Sequence, residues 1–355
     1  MFYPFCNGYC KRTYCICYNN FTVRRNAFFF TFYVSAGLVA GARLFENTLG
    51  LPYLSALLLG GGVIVAYTMA GGFLAVAWTD FFQGLLMLGA LLLVPALALL
   101  SPELAAPAPG RLDLFGELTV LGWLSLVAWG LGYAGQPHIL ARFMALRSAA
   151  EAREARRIGM SWMILSGLGA VALGLLGPQL LPELADPETV FIALTQSLLA
   201  PALAGVILAA ILAAVMSTID SQLLVASTAL AEDVFAVLKP EASARARLNV
   251  GRGAVLLVAA TALLLALNPD SQVLGLVSYA WAGLGASFGP AVLYALYGRG
   301  FSARGALAGM LTGGGTVVLW GELDGGIFEL YELLPGFCFS ALALHLLRHR
   351  PASSA

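Results

Sequence analysis

The sequence predicts an all-α polytopic membrane protein with about ten transmembrane helices. Three features predict this fold class: the composition, a series of long apolar runs, and the spacing of the basic residues between them. Of the 355 residues, 60% are hydrophobic and 11% are charged, and the mean hydropathy is +0.85. Soluble domains carry roughly 25% charged residues. The composition therefore excludes a soluble enzyme, a nucleic-acid-binding protein and a disordered chain.

The apolar runs have the length that a membrane-spanning helix requires, which is about 20 residues. Residues 191–231 are too long for a single crossing. Because Pro201 divides them, residues 190–199 are predicted to form an interfacial helix before the next span. The ten runs are 28–45, 51–70, 73–100, 118–138, 158–181, 201–231, 252–268, 272–297, 304–321 and 327–347.

Basic residues occur in clusters, and two apolar runs separate each cluster from the next. Loops rich in Lys and Arg stay in the cytoplasm, so the clusters predict a multi-pass protein with both termini cytoplasmic. Single cysteines at Ala150 and Ser243 test this orientation, because an impermeant maleimide should label them only in opened membranes. The clusters are Arg142, Arg147, Arg153, Arg156 and Arg157; Lys239, Arg245, Arg247 and Arg252; Arg299 and Arg304; and Arg348 and Arg350.

The two ends of the chain differ in composition from the apolar region between them. Residues 1–27 are rich in Cys, Tyr, Asn and Phe and are interrupted by four basic residues, so we predict a disordered N-terminal segment. Their four cysteines lack the paired spacing and the nearby histidine of a zinc site. Residues 28–348 are predicted to form the transmembrane domain, and residues 349–355 a cytoplasmic tail.

Two carboxylates lie inside the predicted spans. A charge at the bilayer midplane costs about 2.5–3.5 kcal/mol or more and usually serves a function. Asp80, in AVAWTDFFQ, could instead reach the aqueous interface. Asp220, in AAVMSTIDSQ, could instead form a helix-packing hydrogen bond with nearby hydroxyls.

Two further patterns point to a binding site, although each also has an ordinary structural explanation. The adjacent hydroxyls of Ser217 and Thr218 suit an alkali cation, which prefers hard oxygen ligands, but such hydroxyls often bond to the preceding helical turn. Trp129, Tyr133 and Pro137 have the i, i+4, i+8 spacing of one helical face. That face could hold an apolar ring or be a packing stripe.

Enzymatic motifs are absent from the sequence. It contains three histidines and has no HExxH, GxSxG or GxxxxGK[ST] motif. We therefore predict that the protein is not an enzyme and needs no organic cofactor. A passive pore is disfavoured because no ring of charged residues or filter motif is visible.

Four segments in order resemble the sodium:solute symporter family, over about Phe32 to Trp320 and more weakly to Arg348. They are GGFLAVAWTDFFQ (71–83), WGLGYAGQPHILARFMA (129–145), ILAAVMSTIDSQLLVAS (211–227) and VLGLVSYAWAGLGASFGP (273–290). The resemblance implies a LeuT-like fold of two inverted five-helix repeats. Run 28–45 resembles the third core helix, so the chain is expected to be truncated at its N-terminus and to lack the first helices.

The resemblance also implies a function, a sodium-coupled symporter that imports L-proline across a bacterial cytoplasmic membrane. The stretch GYAGQPHILARFMA favours proline. The alternatives are an inactive truncated remnant, or a symporter of the same family for another small solute. The implied partners are L-proline, Na⁺ as coupling ion and the lipid bilayer, with no nucleic acid and no obligate protein partner.

Site residues follow from the same resemblance. The Ala214 carbonyl and the Ser217 and Thr218 hydroxyls would bind sodium, and Asp80 would serve sodium coupling. Asp220 falls where relatives vary and is left out of the site. The residues expected at the proline are Tyr33, Trp129, Tyr133 and Pro137.

Overall fold

The computed structural model describes residues 12–104, 118–298 and 300–348, and these contain helices and no strand. Each of the ten predicted runs overlaps a helix, and α2 covers two of them. The helices are α1 Arg12–Leu49, α2 Tyr53–Leu99, α3 Val120–Gly132, α4 Pro137–Met144, α5 Ala149–Leu180, α6 Val190–Leu198, α7 Pro201–Thr228, α8 Ala236–Leu238, α9 Ala244–Leu265, α10 Val273–Tyr297, α11 Ala303–Trp320 and α12 Leu333–Leu346. The helix predicted over residues 190–199 is therefore confirmed as α6.

Seven helical segments of the described chain are long and apolar enough to cross a membrane. α3 and α12 are apolar but shorter, and in α11 Arg304 and five glycines dilute the apolar residues. The seven segments are Ala27–Leu49, Tyr53–Ala70, Val76–Leu99, Ala149–Leu180, Pro201–Leu238, Ala244–Leu265 and Val273–Tyr297.

α1 begins earlier than the sequence predicts. It starts at Arg12, so residues 12–27 are helical although the whole segment 1–27 is predicted to be disordered. Helix extension needs only one more residue fixed per hydrogen bond, so a stable span can propagate into a weakly apolar segment. Residues 1–11 and the predicted tail 349–355 lie outside the described chain.

A glycine separates two of the predicted spans without a loop. Gly72 interrupts α2 with φ 67° and ψ 179°, a backbone conformation that residues other than glycine rarely adopt. The segments Tyr53–Ala70 and Val76–Leu99 on either side are the second and third predicted spans.

The chain folds into two units that alternate along the sequence. Unit 1 takes its described residues from 1–36, 118–145 and 221–355, and unit 2 from 37–117 and 146–220.

Within unit 1, α10, α11 and α12 pack at glycines that let their backbones approach. A Cβ added at Gly313 on α11 would overlap the Ala286 carbonyl oxygen on α10 and lie 2.9 Å from Ser340 Cβ on α12. A Cβ added at Gly289 would lie 2.7 Å from the Phe337 ring. Gly285 and Gly289 have the i, i+4 spacing of small residues that permit close helix contact, and an added Cβ at either would lie within 2.8 Å of a neighbouring atom.

Within unit 2, α1 packs on α7 through a glycine pair with the same i, i+4 spacing, Gly37 and Gly41. Added Cβ atoms at Gly37 and Gly41 would lie 3.7 and 3.8 Å from Val215 Cγ1. At the end of α1, Arg43 Nη1 lies 3.0 Å from Asp186 Oδ2 and 2.8 Å from a Glu188 carboxylate oxygen. An apolar cluster of unit 2 is formed by Ala90, Val94, Leu173, Leu194, Ile207 and Ala210.

Candidate functional site

The fourth predicted span is broken in the middle. α3 ends at Gly132, a 3-10 turn covers Tyr133–Gly135, and α4 begins at Pro137 after an extended Gln136. Proline disfavours a helical conformation in the residue before it and has no N–H to continue the helix. The prediction that Trp129, Tyr133 and Pro137 share one helical face is therefore wrong in geometry, because the helix ends before Pro137. Their predicted binding role is a separate matter.

An aromatic cluster in unit 1 surrounds Trp129. Its ring stacks on Tyr331 with a centroid distance of 5.3 Å and an interplanar angle of 19°. Its other neighbour is Trp281 of α10, with ring centroids 6.2 Å apart. Tyr133 meets Trp281 edge-on at 4.8 Å and is itself 51% exposed. Trp281 therefore contacts both rings that were predicted to face the substrate.

Hydrogen bonds tie α10 to both sides of the break. The Trp281 indole donates from Nε1 to the Trp129 carbonyl at 3.0 Å. Gln136 is fully buried, and its Nε2 lies 3.2 Å from the Trp281 carbonyl and 3.2 Å from the Gly132 carbonyl. Gln136 Oε1 is buried without a hydrogen-bond partner in the described part of the chain. A buried acceptor without a hydrogen-bond partner costs about 1–3 kcal/mol of stability. The side-chain oxygen of Gln136 can therefore accept a hydrogen bond from a further donor.

Tyr33 lies beside the start of α4. Its ring is half-buried and meets the His138 ring edge-on at 6.0 Å, while Phe30 meets the same imidazole at 5.9 Å. His138 follows Pro137 directly. The four residues predicted to contact the substrate, Tyr33, Trp129, Tyr133 and Pro137, all belong to unit 1.

The predicted sodium ligands form an oxygen cluster on α7 in unit 2. Ser217 Oγ lies 3.0 Å and Thr218 Oγ1 lies 2.9 Å from the Ala214 carbonyl oxygen, and all three residues are half-buried. Both hydroxyls donate to this carbonyl, as hydroxyls in membrane helices often do. If both turned their protons away, three oxygens could face one cation.

The two carboxylates of the spans also belong to unit 2. Asp80 is half-buried on α2, and its charge lies within electrostatic range of Asp220. Asp220 is fully buried, and its Oδ1 accepts a hydrogen bond of 2.6 Å from Thr68. Its Oδ2 has no hydrogen-bond partner among the described residues. Asp220 is not among the predicted site residues, and its position within an apolar span was the signal that could have included it.

Comparison with known proteins decides the family. The model of the sodium:solute symporter family matches residues 25–313. The chain belongs to the sodium:solute symporter family. Over 329 residues it is 49% identical to the high-affinity proline transporter PutP of Bacillus subtilis, covering 89% of this chain and 69% of that one. Over 339 residues it is 45% identical to sodium/proline symporter 2 of Staphylococcus saprophyticus, covering 89% and 66%.

The fold of the symporter family is also found among solved structures. A Na⁺-coupled sialic acid symporter, solved in a substrate-bound outward-open state, matches with a TM-score of 0.69 at 16% identity. The match covers 96% of this chain and 76% of that one. It confirms the predicted all-α transporter fold. The chain spans about two thirds of the length of the curated relatives.

Two residues of the aromatic cluster in this symporter-family chain, Trp281 and Tyr331, were not predicted from the sequence. Trp281 lies in a quoted motif, but its contact with Trp129 joins positions 152 residues apart. Tyr331 precedes α12, and its hydroxyl donates to the Ser278 carbonyl at 2.7 Å. Its backbone N–H donates to the Ser125 hydroxyl at 2.9 Å. An aromatic residue beside an apolar run was the only signal available for it.

Proposed function

We propose that this chain is a sodium-coupled secondary symporter that takes up L-proline across a bacterial cytoplasmic membrane. The observation that carries the proposal is the 49% identity over 329 residues to a proline transporter. The relatives compared are transporters, and the chain has several helices that can cross a membrane.

The aromatic cluster in unit 1 supports a substrate that carries an apolar ring and an ammonium group, such as zwitterionic proline. Trp129 and the half-exposed Tyr133 offer ring surface on which a pyrrolidine ring can pack. Burial of apolar surface contributes roughly 25 cal/mol of binding free energy per Å². A secondary ammonium near an aromatic face gains about 0.5–2 kcal/mol from the ring quadrupole. Tyr33 and Pro137 complete the proposed binding face, and Gln136 Oε1 could accept a hydrogen bond.

The oxygen cluster of unit 2 supports the sodium part of the proposal. A sodium ion would be bound by the Ala214 carbonyl and by the Ser217 and Thr218 hydroxyls after the two protons rotate away. These three oxygens carry no net charge. Asp80 therefore serves coupling in this proposal by supplying negative charge to the same unit.

Coupling between the two ligands requires that each raises affinity for the other by the same factor. Typical coupling free energies are about 1–3 kcal/mol, or about 5- to 150-fold in affinity. We therefore expect the purified chain to bind labelled L-proline about tenfold more tightly in saturating sodium than in choline. A scintillation proximity assay measures both affinities directly.

Two variants, one a test and one a control, make this binding assay specific to the aromatic cluster. Trp129→Ala should weaken proline binding about tenfold, because it removes the central ring of the cluster. Val127→Ala, at an exposed position of the same helix, is the control and should bind like the wild type. Proline binding that is equal in sodium and choline would refute the coupling. Preference for another amino acid or a sugar in competition would instead support a symporter for a different solute.

A further inference from the structure

The break between α3 and α4 leaves backbone groups outside any helix, and something must hold it in one conformation. Helix ends leave carbonyl and N–H groups without partners in the helix. Trp281 of α10 supplies one such partner, because its indole N–H donates to the Trp129 carbonyl before the break. After the break, the side-chain amide of Gln136 donates to the Trp281 carbonyl.

Glycines seat the broken segment directly against α10. A Cβ at Gly132 would overlap the Trp281 indole, and a Cβ at Gly135 would lie 2.7 Å from the Gly289 nitrogen and 2.8 Å from Gly285 Cα. The broken segment is therefore pressed against the helix that carries Trp281. Trp281 is 7% exposed, so its ring is held in one place by its surroundings.

The same indole contacts two rings of the proposed proline site. It is 6.2 Å from the Trp129 ring and 4.8 Å from the Tyr133 ring. Moving Trp281 would therefore change both the path of the backbone and the positions of these two rings.

We propose that Trp281 is the positioning residue of the substrate site, which it shapes by holding the helix break through its N–H and carbonyl. This inference rests on the proposed function, because it assigns the ring-size selectivity of the proline site. Trp281 acts through Trp129 and Tyr133. Rings held in fixed positions should favour a five-membered substrate ring over a four- or six-membered one.

The test compares two Trp→Phe variants that each lose one indole hydrogen bond to a carbonyl. Trp281→Phe removes the bond to Trp129, while Trp162→Phe in unit 2 removes a bond of the same 3.0 Å length to the Gly84 carbonyl. We expect Trp281→Phe to weaken sodium-dependent proline binding about fivefold and Trp162→Phe less than twofold. Binding of azetidine-2-carboxylate and pipecolate, relative to proline, should rise only in Trp281→Phe.

Hydrogen exchange gives a second readout that needs no substrate. Amides 130–136 should exchange at least about fivefold faster in Trp281→Phe than in the wild type, and at the wild-type rate in Trp162→Phe. If Trp281→Phe does not fold, benzothienylalanine at position 281 keeps the bicyclic ring and removes only the N–H. It should give the same two results.

The outcomes separate this inference from the proposed function. If the wild type binds proline and Trp281→Phe keeps wild-type affinity and selectivity, Trp281 is not the positioning residue, while the function stands. If the wild type binds no proline, the proposed function fails, and hydrogen exchange alone tests whether Trp281 holds the helix break. Equal exchange of 130–136 in both variants then overturns the inference, and selectively faster exchange in Trp281→Phe supports it.

Discussion

Replacing Thr218 by alanine should raise the sodium concentration for half-maximal proline binding at least about tenfold. The Thr218 hydroxyl is one of three oxygens in the α7 cluster, 2.9 Å from the Ala214 carbonyl. A hydrogen bond or contact to a charged group contributes about 1.5–3 kcal/mol, and 1.4 kcal/mol is tenfold. Proline affinity at saturating sodium should change little, because the aromatic cluster keeps all its atoms.

Two further variants make this sodium prediction specific. Thr218→Ser keeps the oxygen and should shift the sodium requirement less than about threefold. Thr228→Ala, on the same helix, removes a hydroxyl that makes the same kind of bond, 2.8 Å to the Leu224 carbonyl, and should leave sodium dependence unchanged. A titration in which Thr218→Ala and Thr228→Ala coincide would remove Thr218 from the sodium site.

Replacing Gly313 by alanine should strongly destabilise unit 1. The added methyl group would overlap the Ala286 carbonyl oxygen and lie 2.8 Å from its carbon, so α10 and α11 must move apart. Overpacking of this kind costs about 1–3 kcal/mol, and a rigid backbone neighbour places Gly313 at the upper end. We expect a lower midpoint of thermal aggregation in detergent and a smaller monodisperse fraction.

Gly275→Ala is the control for this stability measurement. Gly275 is exposed on α10, and an added Cβ would meet only Gln272 Cβ at an ordinary 3.9 Å. Alanine there should be neutral or slightly stabilising, since glycine is the poorer helix former. Similar midpoints for the two variants would show that the helices do not touch at Gly313.

The helices could be predicted from the sequence because lipid imposes a simple rule of length and hydrophobicity. Residues 28–45 lie within α1, and Pro201 marks the start of α7 as predicted. The start of α1 at Arg12 could not be predicted by this rule, because residues 12–27 are not uniformly apolar. Local composition cannot show that a neighbouring span extends into them.

The site could be predicted only in part, because its geometry depends on contacts between distant residues. Glycines and a proline in GYAGQP were visible, but periodicity extends a helix through them, whereas the structure breaks it at Gln136. The three oxygens on α7 could be grouped because they lie within five consecutive positions. Trp281, Tyr331 and the Thr68 partner of Asp220 required tertiary structure, since each contact spans more than a hundred residues.

The most direct test of sodium-coupled proline transport is uptake of labelled L-proline by proteoliposomes containing this chain under a tenfold inward sodium gradient. Such a gradient supplies about 1.4 kcal/mol per ion. With one ion per proline, the internal proline concentration should rise to about ten times the external one, then fall when an ionophore collapses the gradient. Uptake that stops at equal concentrations, or never exceeds that of protein-free vesicles, would contradict the account.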